Sequence, residues 1–310
     1  MNTQLIHLKY IVRCPACSGG LIWHSGSARC DLCDLEFLVV DDVPVLIADQ
    51  IPQRTEGPDH AGLLQFLPPR LHPIANSSRR FVRPSLVHRS RHTRSLTHAF
   101  TASFPSDATL LNVGAGASNY GENVINLDIV ATPGIHVVGL AEHLPFRDAV
   151  FDGVLFQAVL EHVGDSGQAL GEIRRVLRPA GAVFIEIPFM QGYHPAPHDH
   201  RRFTEQGLRV ELEQHGFLVD RTGVAVGPAS AMAWVTGEFL ALLVSGRSGR
   251  IYRIARLATD WLAWPIKWAD SWLDTHEMAH VIASGVWASA RKPADQDSSF
   301  DGPRGSHHTP

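Results

Sequence analysis

The stretch NVGAGASNYGENVINLDI, residues 112–129, follows an apolar run, carries glycines at 114 and 116, and places an acid, Asp128, near its end. Lacking Cβ atoms, both glycines allow a tight turn and a close approach of backbone to ligand. An acid at the carboxyl end of a second strand can accept from both hydroxyls of a ribose, at the point where a doubly wound sheet reverses direction. The stretch therefore reads as a nucleotide loop. A dinucleotide fingerprint requires G-x-G-x-x-G with an acid about 20 residues further on. Here the third glycine position is Asn119, and Asp128 follows Gly116 by only twelve residues. The hydride-transfer reading loses ground, although a glycine pair alone also suits a strand-to-helix turn for steric reasons.

Around this loop, short apolar runs alternate with helical periodicity, which indicates a parallel sheet covered on both faces. Strands are predicted at 109–113, 123–127, 135–138, 151–156 and 182–187. Between the last two, Leu170, Ile173, Val176 and Leu177 share a helical face, with Ser166 as cap and the Pro179–Gly181 turn as stop. A further helix at 204–215 opens at Thr204 and closes at Gly216.

The segment AEHLPFRDAVFDGVLFQAVLEHVGDSGQALGEIRRVLRPAGAVFIEIP, residues 141–188, holds LPFxDxxFDxV, VLEHV, EIxRVLRPxG and a strand ending in proline, in that order. With these motifs the chain resembles the class I S-adenosylmethionine-dependent methyltransferases of the type 11 branch, over roughly 107–226. The resemblance implies an α/β fold, a doubly wound seven-stranded Rossmann-like methyltransferase sheet. In it, 216–226 is the sixth strand and 281–292 an antiparallel seventh, slotted between the fifth and sixth. It also implies S-adenosyl-L-methionine as cofactor. Asn112, Gly114 and Gly116 then lie under the methionine part, Asp128 binds the ribose, Ala141 and Glu142 lie near the adenine, and Gln157 lines the site beyond the fourth strand.

Three features depart from the family pattern. Asn112 stands where an acid is usual, so it accepts from the cofactor's ammonium without a full charge. The span from Gly116 to Asp128 leaves room for a helix of a turn or two at most. Leu140 replaces an aspartate that accepts from the adenine amine, a loss of about 1 kcal/mol.

After the fifth strand, PFMQGYHPAPHDHRRFT (188–204) gathers His194, His198, Asp199, His200, Arg201 and Arg202 at the sheet edge where such folds place ligands. It resembles the HxxPHDxxRFT element of a subset of these enzymes, where that element borders the acceptor pocket. The catalytic reading takes His194 or His198 as general base, oriented by Asp199. The structural reading takes Asp199 and Arg202 as a loop-locking ion pair. Glu161 and His162 of VLEHV are read as structural neighbours of the site.

All four cysteines lie in two pairs, Cys14–Cys17 and Cys30–Cys33, with twelve residues between the pairs. Four thiolates on two tight knuckles complete the tetrahedral shell of a structural Zn²⁺, and so small a module needs such a staple. The segment CPACSGGLIWHSGSARCDLCDLEFLVVDDVPVLI (14–47) resembles the Trm112-like zinc ribbon. The domain reading is a zinc ribbon over 1–51, a basic linker with a covering helix near 85–100 over 52–106, and the methyltransferase domain over 107–292. A helical insertion occupies 231–275 and a disordered tail 293–310.

The linker's arginines at 54, 70, 79, 80, 83, 89, 91 and 94 face only Glu56 and Asp59, a composition that suits either a solvated connector or contact with RNA phosphates. The insertion's five tryptophans and interspersed arginines suit either a lid over the acceptor or peripheral membrane contact. HEMAH (276–280) matches the HExxH zinc-peptidase pattern, but the metzincin continuation is absent and no glutamate follows Glu277 to act as the distant third ligand. A formal charge of −4 argues against a general nucleic-acid coat. With no secretory pattern and no long uninterrupted apolar run, a cytoplasmic chain is expected.

The resulting expectation is methyl transfer to a hydroxyl or amine of a small-molecule or glycan-type acceptor. RNA base methylation and a non-catalytic, methyltransferase-like interaction protein are the alternatives. The oligomeric state is not readable.

Overall fold

The computed structural model describes residues 8–48, 84–89, 91–195 and 198–294. The linker's first five arginines and the tail from 295 fall outside the described residues.

Two sheets organise the chain. The small one is antiparallel, in the order β1 (Leu21–His24), β2 (Ser27–Cys30), β3 (Glu36–Val40) and β4 (Val43–Pro44). After the helix α1 (Arg91–Ala102) come the strands β5 (Leu110–Val113), β6 (Val124–Asp128), β7 (Val137–Val138) and β8 (Phe151–Gln157). Helix α2 (Ser166–Val176) leads into β9 (Leu177–Pro188), and α3 (Glu205–Gln214) into β10 (Leu218–Val226). Two long helices, α4 (Pro228–Ser245) and α5 (Gly249–Ala263), a 3-10 turn (Trp264–Ala269) and the short α6 (Asp270–Leu273) precede β11 (Gly285–Arg291).

The large sheet runs β10-β11-β9-β8-β5-β6-β7, parallel except for β11, which is antiparallel to both neighbours. The architecture is the doubly wound, Rossmann-like methyltransferase sheet expected from sequence, with the last strand between the fifth and sixth. Its centre is buried on both faces: every residue of β5 is buried, as a near-continuous apolar run requires of a covered parallel strand. The chain leaves β5 toward β6 and β7, then returns to β8 on the other side, so the switch point lies between β5 and β8.

One face is covered by α2, through Ala169, Leu170, Ile173 and Val176, and by α3, through Leu208 and Leu212. The cap of α2 is Asp165, whose carboxylate accepts from Gln168 N at 2.9 Å; Ser166 donates instead to Glu211 Oε1. The helix also stops earlier than predicted, at Val176, because the residue before Pro179 is driven out of helical geometry and β9 has already begun at Leu177. Thr204 caps α3 as expected, and Gly216 closes it at φ +77°.

The opposite face is covered by α1, the helix expected near 85–100 but shifted a few residues toward the C-terminus. Its Phe100 packs against Phe104 and Phe184, and Phe184 stacks on Trp287 of β11.

The cysteine module is built into the sheet edge. Leu46 N donates to Val138 O at 2.8 Å, Val45 bridges Val138 in parallel, and Val12 bridges Phe146. Leu8, Ile11, Val12, Phe37 and Leu46 share one core with Leu127, Val137 and Phe146. The module thereby pairs the otherwise open edge of the two-residue β7, an edge that would invite aggregation if left bare.

Candidate functional site

The carboxyl ends of β5, β6 and β8 converge at the switch point. No helix follows β5; residues 114–123 form turns, in keeping with the short span. Gly114 and Gly116 adopt φ of +68° and +54°, the left-handed region that glycine tolerates. They differ in what surrounds them. A Cβ on Gly114 would run into Cγ2 of Val159, so this glycine is demanded by protein packing. A Cβ on Gly116 would meet nothing within 4 Å, so that turn faces open space.

Asp128 ends β6 and locks the turn: Oδ2 accepts from Gly116 N at 2.8 Å and Oδ1 from Val130 N at 3.0 Å. Each oxygen keeps a second lone pair for a ligand hydroxyl. Asn112 is buried and donates Nδ2 to Asn126 Oδ1 at 3.2 Å, leaving its own carbonyl as the acceptor. Ala141 is buried, and Glu142 Oε1 accepts from Gly164 N at 3.2 Å. A cavity of about 420 Å³ opens beside Glu142, lined by Arg13 and Ser18 of the cysteine module and by His143, Gln168 and Glu172. Gln157 is not free to face a ligand with its amide. Its Oε1 accepts from Tyr120 OH at 2.8 Å, while Nε2 donates to Glu186 Oε2 at 2.9 Å and to Thr97 Oγ1 at 3.2 Å. Burial pushes the Glu186 carboxyl pKa up, against the opposing pull of Arg89, whose Nη2 lies 2.9 Å from Oε1. The sequence reading missed this network because Arg89, Tyr120 and Glu186 are far apart in the chain.

The loop after β9 is locked by an ion pair. Arg202 grips both oxygens of Asp199, Nη2 to Oδ2 at 2.7 Å, and His194 N donates to the same oxygen at 2.8 Å. Burial works against the Asp199 carboxylate, but Arg202 and the His194 amide outweigh it and bring its pKa down to about 2. Asp199 is thus committed to Arg202, and its Oδ2 is 3.7 Å from His194 Nδ1, beyond hydrogen-bond range. His198 stands apart: its ring is tilted against His200 at 5.5 Å between centroids. His194 instead meets Glu161 and His162, whose side chains the sequence reading left as structural neighbours. Trp234 of α4 packs on His194 at 5.6 Å, which brings the helical insertion against this loop.

The four cysteine sulfurs lie within 4.8 Å of one another. Cys14 Sγ and Cys33 Sγ are 3.7 Å apart, and Cys17 Sγ and Cys30 Sγ 3.3 Å. Sulfurs 2.3 Å from a tetrahedral zinc would stand about 3.8 Å apart, so the donor set fits such an ion. Burial pushes the Cys14 thiol up to about 12. Burial also opposes the Cys30 thiolate, but the amides of Cys33 and Leu32 outweigh it and hold that thiol at about 7. HEMAH lies in turns followed by a 3-10 segment (Ala279–Val281), so His276 and His280 do not share a helical face as a peptidase site requires.

Residues 108–185 match the methyltransferase domain family, type 11. The O-methyltransferase rstn1 of Aspergillus nomiae is 37% identical over 89 residues, which cover 26% of this chain and 40% of that protein. The chain aligns with less than half the length of the curated relatives it matches. Among solved structures, the cyclase SpnF is 15% identical with a TM-score of 0.44, over 76% of this chain and 97% of that one. The 1,6-didemethyltoxoflavin-N1-methyltransferase of Burkholderia thailandensis, solved with 1,6-didemethyltoxoflavin and S-adenosylhomocysteine, is 18% identical with a TM-score of 0.42, over 83% and 95%. The sheet is Rossmann-like, and its residues 108–185 are similar to the methyltransferase domain family.

Proposed function

We propose that the chain is a cytoplasmic S-adenosylmethionine-dependent methyltransferase acting on a hydroxyl or amine of a small-molecule or glycan-type acceptor. The observation that carries this reading is the methyltransferase-domain match over 108–185. The carboxylate of Asp128, held on Gly116 N at the switch point, supports it. Gly116, Asp128, Ala141, Glu142 and the carbonyl of Asn112 would hold the cofactor, which supplies a methyl group on a sulfonium. Gly114 shapes the turn by letting Val159 approach. Gln157 acts one step removed, fixing Tyr120 over the end of β8.

Aligning the acceptor with the methyl can supply about 7–11 kcal/mol by proximity, and a base adds roughly 10²–10⁴ in rate. Of the two candidate bases, His194 and His198, the exposed ring of His198 is the one free of the Glu161 cluster and available to take the acceptor's proton, with Asp199 as a positioning residue that holds the loop through Arg202. The cysteine module would take a structural zinc in the manner of a Trm112-like ribbon. Of the linker arginines among the described residues, Arg89 is paired with Glu186, while Arg94 donates to the Arg89 carbonyl and keeps its charge. The test is transfer of labelled methyl groups into fractions of a cell extract. Label in a small-molecule or glycan fraction supports the reading. Label confined to RNA, or absent while the protein binds the cofactor, overturns it.

A second reading concerns where the enzyme works. Helix α4 buries its small residues, Ala229, Ala233, Gly237 and Ala241, and leaves Met232, Val235, Phe239, Leu242, Leu243 and Val244 exposed. A helix packed for a watery surface would do the reverse. The neighbouring turn and α5 add exposed Arg247, Arg250 and Arg253 beside Ile251 and Ile254. We propose that this face rests on an anionic membrane surface while Trp234 covers the acceptor loop. Co-sedimentation with phosphatidylserine vesicles should be lost on Phe239→Asp with Leu243→Asp. Binding unchanged by this pair would rule the reading out.

A further inference from the structure

The cluster of Glu161, His162 and His194 is not explained by methyl transfer. Glu161 is fully buried, and neither carboxylate oxygen accepts a hydrogen bond among the described residues. A buried carboxylate in that condition is costly unless a charge faces it. What faces it is a pair of imidazole nitrogens: His162 Nε2 at 3.7 Å and His194 Nε2 at 3.8 Å, both from Oε1. Both distances are too long for hydrogen bonds.

The other nitrogen of each ring is already committed. His162 Nδ1 lies 2.6 Å from the carbonyl of His198, and His194 Nδ1 lies 2.9 Å from the carbonyl of Gly192. Only a protonated Nδ1 can bond a carbonyl, so in each neutral ring bonded this way Nε2 carries the lone pair; at His194 the carbonyl contact is shorter than the 3.3 Å to Arg202 Nη2 on the same nitrogen. A backbone carbonyl on the far nitrogen is the arrangement that fixes the tautomer of a metal-ligating histidine. The three donor atoms lie within 4.8 Å of one another. Donors about 2.1 Å from a tetrahedral ion would be roughly 3.4 Å apart, so the two Glu161–histidine distances need contract by only a few tenths of an ångström to meet one ion.

We propose that Glu161, His162 and His194 form a divalent-metal site, distinct from the four cysteines. Two imidazoles and one carboxylate select a borderline first-row ion such as Zn²⁺ over Mg²⁺ or Ca²⁺. Three protein donors leave a coordination position open, unlike the closed four-cysteine shell. The ion ties the segment after β8 to the loop after β9, which His200 N already joins by donating to Glu161 O at 2.7 Å. This inference does not depend on the cofactor or on activity.

The test uses the full chain loaded with Co²⁺ and then Zn²⁺. Cobalt on thiolates gives intense charge-transfer absorption, whereas an N₂O site gives only weaker ligand-field bands. The wild type should bind two equivalents by elemental analysis, one of them without thiolate bands. Glu161→Gln and His194→Gln should each lose that equivalent and keep the thiolate spectrum, which also reports that the variant is folded. A wild-type chain whose bound cobalt shows thiolate character only, with no further saturable equivalent, overturns the proposal, and this holds even if a variant fails to fold.

Discussion

Two donor clusters in this molecule present opposite relations between sequence and structure. The four cysteines come from two knuckles within twenty residues, Cys14 to Cys33, and their spacing alone announces them. Glu161, His162 and His194 are assembled by the sheet: the first two follow β8, the third follows β9, and only the parallel pairing of those strands brings them together. Local chemistry is legible when one tight turn holds both donors. It is hidden when a crossover must form first.

The largest expected effect lies on the cysteine side. Structural zinc contributes on the order of 10 kcal/mol to small modules of this kind. Chelation, or Cys30→Ser, should unfold the module and expose Phe37, Leu46 and the edge of β7, lowering the thermal midpoint. An unchanged melting curve after verified metal removal would break the contrast. Next comes Gly114→Ala, which combines a positive φ with a collision against Val159 and should cost about 3 kcal/mol in urea unfolding. Val159→Ala should recover part of that loss.

Glu161→Gln sharpens the contrast by its sign. In metal-free protein it replaces a buried carboxyl group whose oxygens accept no hydrogen bond among the described residues, so stability should hold or rise by about 1–2 kcal/mol, where Cys30→Ser only destabilises. The smallest effect is pH-dependent. The Asp199 carboxyl pKa is about 2 in the fold against an ordinary 3.8, so its contribution is complete above about pH 4 and is lost as the pH falls toward 2. Asp199→Asn should flatten that part of the acid unfolding curve.

Much of the domain was legible. Strand runs such as LLNV and VINLD are apolar because both faces are covered, and the slot for β11 followed from the family resemblance. Gly114 was read as a glycine that lets backbone approach a ligand; in the structure its missing Cβ makes room for Val159. Asp199 was read as an orienting acid or a lock, and the lock is what forms, because a guanidinium three residues away reaches both oxygens. Gln157 was read as lining the site beyond the fourth strand; its amide is held by Tyr120, Thr97 and Glu186, partners that periodicity cannot reveal. The edge pairing of residues 45–46 with Val138 also escaped, since a two-residue strand leaves almost no pattern.

The central claim is that Asp128, fixed on the Gly116 amide, holds the sugar of S-adenosylmethionine. Titration calorimetry of the full chain with that compound tests it most directly. A single saturable site is predicted, weakened at least tenfold in Asp128→Ala, in line with the loss of about 1.5–3 kcal/mol per charged hydrogen bond. No heat of binding in a folded wild-type chain, or equal affinity in the variant, would contradict it.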